Sequence, residues 1–188
     1  MTDSDRGRNR GLIVGAVLAV AILAVGSATL VTAVANRRTT SPNGAYGAVT
    51  CTSPQLPGAI VEVTLADAGN SMMGRGPMMV TLSATPGTVT AGQVSFVVRN
   101  RGALAHELVI LPLPTDGPGT RPTGADGKID ESQSLGESSK SCAEGSGDGI
   151  APGSTGWVTV TLKPGRYELV CDEPWHYSAG MFDVFVAT

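Results

Sequence analysis

Three side chains able to bind a soft metal fall within one short stretch near the C-terminal end: Cys171, His176 and Met181. They occupy the connection between two runs rich in β-branched and aromatic residues, 166–171 and 182–187. A chain that holds a thiol, an imidazole and a thioether at Cys-x4-His-x4-Met spacing has to turn tightly between two strands. Five further runs of similar character, 59–65, 78–84, 93–100, 107–113 and 156–162, are separated by turn residues. Thr85-Pro86-Gly87 and Lys163-Pro164-Gly165 mark two of those turns, since proline presets φ and glycine accepts a positive φ. Seven short strands without a convincing soluble helix predict an all-β, Greek-key β-sandwich.

Alternation along the strands places further chemistry. Residues i, i+2 and i+4 of a strand share one face. His106 therefore shares a face with Leu108 and Ile110, and Cys171 shares one with Leu169 and Tyr167. If both apolar faces look into the core, the two side chains meet at one end of the sandwich. His106 and His176 are the only histidines of the chain. Two imidazoles, one thiolate and a weak thioether form the donor set of a mononuclear copper centre. The expected ligands are His106, Cys171, His176 and Met181, and the expected cofactor is one copper ion cycling between Cu(I) and Cu(II). Singly, each residue has a plainer reading: a buried Cys as a small hydrophobe, a Met as filler, a His as a satisfied polar group.

The N-terminal third is organised differently. Residues 1–10 are polar with three arginines, and from Gly11 to Ala35 no residue is charged. That run is long enough to cross a bilayer, with residues 1–10 on the cytoplasmic side. A cleaved secretory signal is the competing reading, because Ala33-Val34-Ala35 offers a cleavage site. The apolar run exceeds the usual signal core, and Arg37-Arg38 follow it directly, which favours an uncleaved anchor. Either way the body is exported, to the outer face of the cell membrane if anchored. Residues 36–58, rich in Thr, Ser, Pro and Gly, read as a linker, leaving 59–188 as the copper-binding domain. Within it, 115–155 is rich in Gly, Ser and Asp and is expected as a long flexible insertion. Asp126-Gly127-Lys128-Ile129-Asp130 resembles half a calcium loop, but the positions that need carboxylates hold Pro122, Gly124 and Gln133.

Charge and cysteine count exclude some functions. Past the N-terminal segment the chain carries 8 basic and 14 acidic residues, which argues against a nucleic-acid partner. Of three cysteines, Cys51 and Cys142 remain once Cys171 binds metal. They form a disulfide in an oxidising compartment or stay as two thiols. Cys51 fits poorly as a lipid-attachment site, being preceded by Thr50 and remote from the apolar run. No nucleophile–His–acid set can be built without dismantling the copper ligands, and multicopper enzymes need histidines this chain lacks. A non-enzymatic role is expected.

The segments 100–110 and 165–181 resemble those of the cupredoxins, the small blue-copper family that includes plastocyanin, azurin, rusticyanin and sulfocyanin. The resemblance covers roughly residues 59–188, and the Cys-to-His spacing is closer to rusticyanin and sulfocyanin than to plastocyanin. It implies His106, Cys171 and His176 as equatorial ligands, Met181 as axial ligand, and one-electron transport between redox proteins. A membrane electron donor and a terminal oxidase or reductase are the implied partners. Glu107 departs from plastocyanin and azurin, which have Asn after the first His ligand. The resemblance also implies that His176 serves as electron port, with Pro174, Trp175 and Tyr177 as an apolar docking patch or as ordinary packing. Asp172 and Glu173 could steer a basic partner. A second reading uses the methionines of 72–79: Met72, Met73, Met78 and Met79 are thioethers suited to Cu(I), as in a copper chaperone or storage protein, against the favoured plainer reading of a turn followed by a strand that packs Met78 or Met79 in the core.

Overall fold

The computed structural model describes residues 51–68 and 79–188. The apolar run 11–35, the linker up to residue 50 and Met72, Met73 and Met78 lie outside the described residues. Among the described residues no helix is long and apolar enough to cross a membrane.

Among the described residues ten strands are formed: β1 (Ala59–Ala68), β2 (Met79–Thr85), β3 (Thr88–Val89), β4 (Gly92–Asn100), β5 (Leu108–Pro112), β6 (Gly136–Lys140), β7 (Gly145–Gly149), β8 (Thr155–Leu162), β9 (Gly165–Val170) and β10 (Phe182–Ala187). They build a four-stranded sheet in the order β2-β1-β4-β8 and a six-stranded sheet in the order β3-β10-β9-β5-β6-β7. All seven expected runs are strands. Alternation explains their facing: Val61, Val63 and Leu65 of β1 and Val94, Phe96 and Val98 of β4 are fully buried, while Glu62 between them is exposed. These meet Leu108, Ile110, Tyr167, Leu169 and Phe185 of the other sheet in one core. The Phe96 and Phe185 rings pack edge to face at 5.2 Å between centroids.

β5 departs from simple alternation, since Leu108 to Leu111 are all fully buried. The outward pair, Val109 and Leu111, joins Ile129, Val170 and Tyr177 in a second small core. The cover comes from the segment expected as a flexible insertion. Within it, β6 pairs antiparallel with β5, and β7 pairs parallel with β6. These strands carry no apolar alternation, and β7 reads GSGDG. Their order comes instead from side-chain bonds, such as Gly147 N–H to Ser139 Oγ, and from the Cys51–Cys142 disulfide at the β6–β7 turn. That disulfide selects the paired alternative for the two cysteines. From the start of the same segment, Arg121 Nε (2.7 Å) and Gly119 N–H (2.7 Å) donate to fully buried Glu168 of β9, which also accepts from the Tyr177 hydroxyl (3.1 Å). A buried carboxylate persists only when so satisfied.

Candidate metal centre

The C-terminal loop closes on itself. Cys171 N–H bonds to Met181 C=O at 3.1 Å, and Met181 N–H bonds to His176 C=O at 3.0 Å. His176 N–H reaches Glu173 C=O, and Ala179 N–H is shared between Trp175 and His176 carbonyls. Trp175 adopts a positive φ of 71°, unusual for a residue with a side chain. Its N–H bonds to Gly127 C=O at 3.0 Å, and a Cβ at Gly127 would come within 2.7 Å of the indole. Glycine at 127 is what lets the 113–135 segment lie against the loop.

His106 arrives from the other side of the core, held by distant partners. It exchanges backbone bonds with Ile150 (His106 N–H to Ile150 C=O, 3.3 Å; the reverse, 2.7 Å). Buried Asn100 donates from Nδ2 to Leu104 C=O (2.7 Å) and Ile150 C=O (2.6 Å) and accepts from Gly102 N–H. Asp67, at the end of β1, accepts at Oδ1 from Ala103 N–H (2.8 Å), Leu104 N–H (3.1 Å) and His106 Nε2 (2.8 Å).

These supports bring the three strong donors together. His106 Nδ1 and His176 Nδ1 stand 3.2 Å apart, with Cys171 Sγ 3.4 Å from His176 Nδ1 and 3.8 Å from His106 Nδ1. A point equidistant from three such atoms lies about 2.0 Å from each, the length range of metal–imidazole bonds and slightly under that of metal–thiolate bonds. All three residues are buried, and Met181 is fully buried in the same core as Cys171. This is a type 1 copper-like site. Its donors, two imidazoles and one thiol with a thioether nearby, fit one copper ion.

The surroundings act on protonation. Burial pushes the Cys171 thiol up to about 12, against the N–H groups of Glu107 and Glu173 that pull it down. The Glu107 N–H lies 3.4 Å from Sγ and would support the thiolate in the loaded site. Burial, then the neighbouring His106, lowers His176 to about 4, so its imidazole is neutral and able to ligate at physiological pH. Burial works to raise the Asp67 carboxyl, but the N–H donors of Leu104, His106 and Ala103 outweigh it and hold it below its ordinary value.

A second cluster lies alongside. Carboxylate oxygens of Glu107, Glu131 and Asp172 approach within 4.8 Å of one another. Burial raises Glu107 to about 8, only partly offset by Lys128 Nζ at 3.9 Å, and Glu107 Oε1 has no hydrogen-bond partner. Asp172 is buried and accepts from Ile129 N–H at 2.7 Å, so it braces the loop and is not a surface charge that steers a partner. The apolar patch divides likewise: Trp175 is 53% exposed, whereas Tyr177 is buried, its hydroxyl bonded to Arg121 N–H and Glu168. Asp67 and Asn100 carried no signal in the sequence. Each is a common polar residue at a strand end, and its role depends on contacts 39 and 50 residues away.

No protein-family model matches the chain, and no curated protein is significantly similar to it. Solved structures similar to it include auracyanins and rusticyanin. Dithionite-reduced auracyanin from Roseiflexus castenholzii is 21% identical at a TM-score of 0.43, covering 70% of this chain and 99% of the other. Auracyanin A from Chloroflexus aurantiacus, titled a "blue" copper protein, is 21% identical at 0.43, covering 69% and 100%. Reduced rusticyanin is 21% identical at 0.42, covering 74% and 83%.

Proposed function

We propose that the chain is a one-copper electron carrier, working outside the cytoplasm and tethered to the cell membrane through residues 11–35. The observation that carries this is the closed triangle of His106 Nδ1, His176 Nδ1 and Cys171 Sγ inside a dry core. Copper bound there would supply a one-electron Cu(I)/Cu(II) couple. The chain's own residues do the rest. His106, His176, Cys171 and Met181 would hold the ion, with the thioether as the weakest donor, and the Glu107 N–H would stabilise charge on the sulfur. The bonded loop 171–181 and the braced His106 keep the donors in place, so little rearrangement accompanies a change of charge. Trp175, exposed and next in sequence to His176, offers a contact for a redox partner such as a membrane electron donor, oxidase or reductase. The Cys51–Cys142 disulfide favours an oxidising compartment.

The visible and EPR spectra of the copper-loaded chain test this reading. An intense red-region absorption with narrow copper hyperfine splitting is expected. A pale, ordinary Cu(II) spectrum would sink it and favour the copper-chaperone reading, in which replacing Met72, Met73, Met78 and Met79 should abolish Cu(I) transfer.

A further inference from the structure

The Asp67 carboxylate, with its side chain 4% exposed, bonds directly to a member of the donor set. We propose that Asp67 is a positioning residue of the copper centre: it fixes His106 in the tautomer that presents Nδ1, and its charge biases the centre towards the oxidised state. This rests on the one-copper reading above.

The geometry has three parts. Asp67 Oδ1 lies 2.8 Å from His106 Nε2, while the opposite ring nitrogen, Nδ1, faces Cys171 and His176. A ring nitrogen held against a carboxylate carries the proton, which leaves the lone pair on the other nitrogen for a metal. The same oxygen also accepts the N–H groups of Ala103 and Leu104, so the carboxylate shapes the loop that delivers His106. Finally, a Cβ at Gly102 would collide with Asp67 Oδ1 and approach His106 Nε2 to 2.8 Å, so the absence of a side chain there makes room for this bond.

Charge follows from the same placement. The Asp67 side chain is 4% exposed, and among the described residues its ion-pair partner is His106 and no lysine or arginine. One thiolate and one carboxylate balance a divalent copper ion, whereas a monovalent ion leaves one buried negative charge over. Uncompensated charge in a low-dielectric interior is unfavourable, so the carboxylate stabilises the oxidised form relative to the reduced one. A plain loop cap would make the N–H bonds of Ala103 and Leu104 without this consequence.

Asp67→Asn and Asp67→Ala in the full chain separate the two contributions. Asn keeps an acceptor oxygen of the same shape and removes the charge. In a redox titration it should weaken the preference for Cu(II) over Cu(I) at least tenfold, a rise of 59 mV per tenfold for a one-electron couple, with the narrow EPR hyperfine pattern kept. Ala removes the acceptor. Nitrogen-15 NMR of the metal-free chain should then show His106 losing its single Nε2–H tautomer, and Cu(II) affinity should fall 10-fold or more. A potential shift equivalent to less than twofold in Asp67→Asn would overturn the charge bias. An unchanged His106 tautomer in Asp67→Ala would overturn the positioning role, and if that variant does not fold, a lost tautomer preference or an unchanged potential in Asp67→Asn decides. Failure of the parent reading looks different: wild-type chain would lack the intense absorption, while the metal-free NMR result would still judge the positioning role.

Discussion

The two halves of the donor set are built on opposite plans. The loop from Cys171 to Met181 is largely local: apart from Trp175 N–H to Gly127 C=O, its backbone bonds run among its own residues, and it joins two adjacent antiparallel strands, β9 and β10. His106 is remote. It stands in place because Asp67 from one sheet, Asn100 at the end of β4 and Ile150 before β8 all hold it. A local loop sets the spacing of three ligands through sequence alone, whereas the fourth depends on the whole sandwich being assembled. Folding and metal binding should therefore be coupled through the His106 side more than through the loop.

Removing the thiol gives the largest effect. Cys171→Ser should abolish the red-region absorption altogether, leaving a weakly coloured Cu(II) site if any; visible spectroscopy at equal copper loading checks this. Next comes the remote arm. Asn100→Ala leaves the carbonyls of Leu104 and Ile150 without their side-chain donor, at a cost of about 2–4 kcal/mol. Urea unfolding of the metal-free chain measures that loss, and copper affinity should drop with it. If stability falls while affinity holds, the arm is not what places His106.

Glu107 supplies a smaller, pH-dependent effect. A carboxyl raised from 4.5 to about 8 in the folded chain favours the folded state in full below pH 4.5 and loses that contribution as pH rises through 8. Between pH 6.5 and 8 the metal-free protein should lose up to about 2 kcal/mol from this group. His176, at about 4, is already neutral in the folded chain over that window, but its unfolded imidazole still sheds protons from pH 6.5, which offsets the decline by about 0.4 kcal/mol. Thermal unfolding at the two pH values should show the decline, and Glu107→Gln should shrink it; an equal slope in the variant would mean that another group titrates. The smallest effect belongs to Trp175→Ala. With its side chain largely outside the core, stability should stay within about 0.5 kcal/mol and the copper spectrum unchanged, while stopped-flow electron exchange with a redox protein slows. A large stability loss would show that the indole's packing on Gly127 holds the loop.

Much of the fold was legible because it rests on short-range rules. Alternating Val and Leu residues in β1 report which face is buried, and Pro-Gly pairs report turns. The convergence of His106 and Cys171 followed from the same alternation, and His176 from its place in the short loop after Cys171. β6 and β7 were not legible, since Gly and Ser carry no facing signal and their order comes from long-range bonds and a disulfide. The sequence by itself determined the donor types, the spacing of the ligand loop and the inward facing of both ligand strands. Only the tertiary structure decided which carboxylate braces His106, that Asp172 and Tyr177 are buried where Trp175 is not, and that the 113–135 segment covers β5. Those choices depend on which polar groups lose water together, and no stretch of neighbouring residues records that.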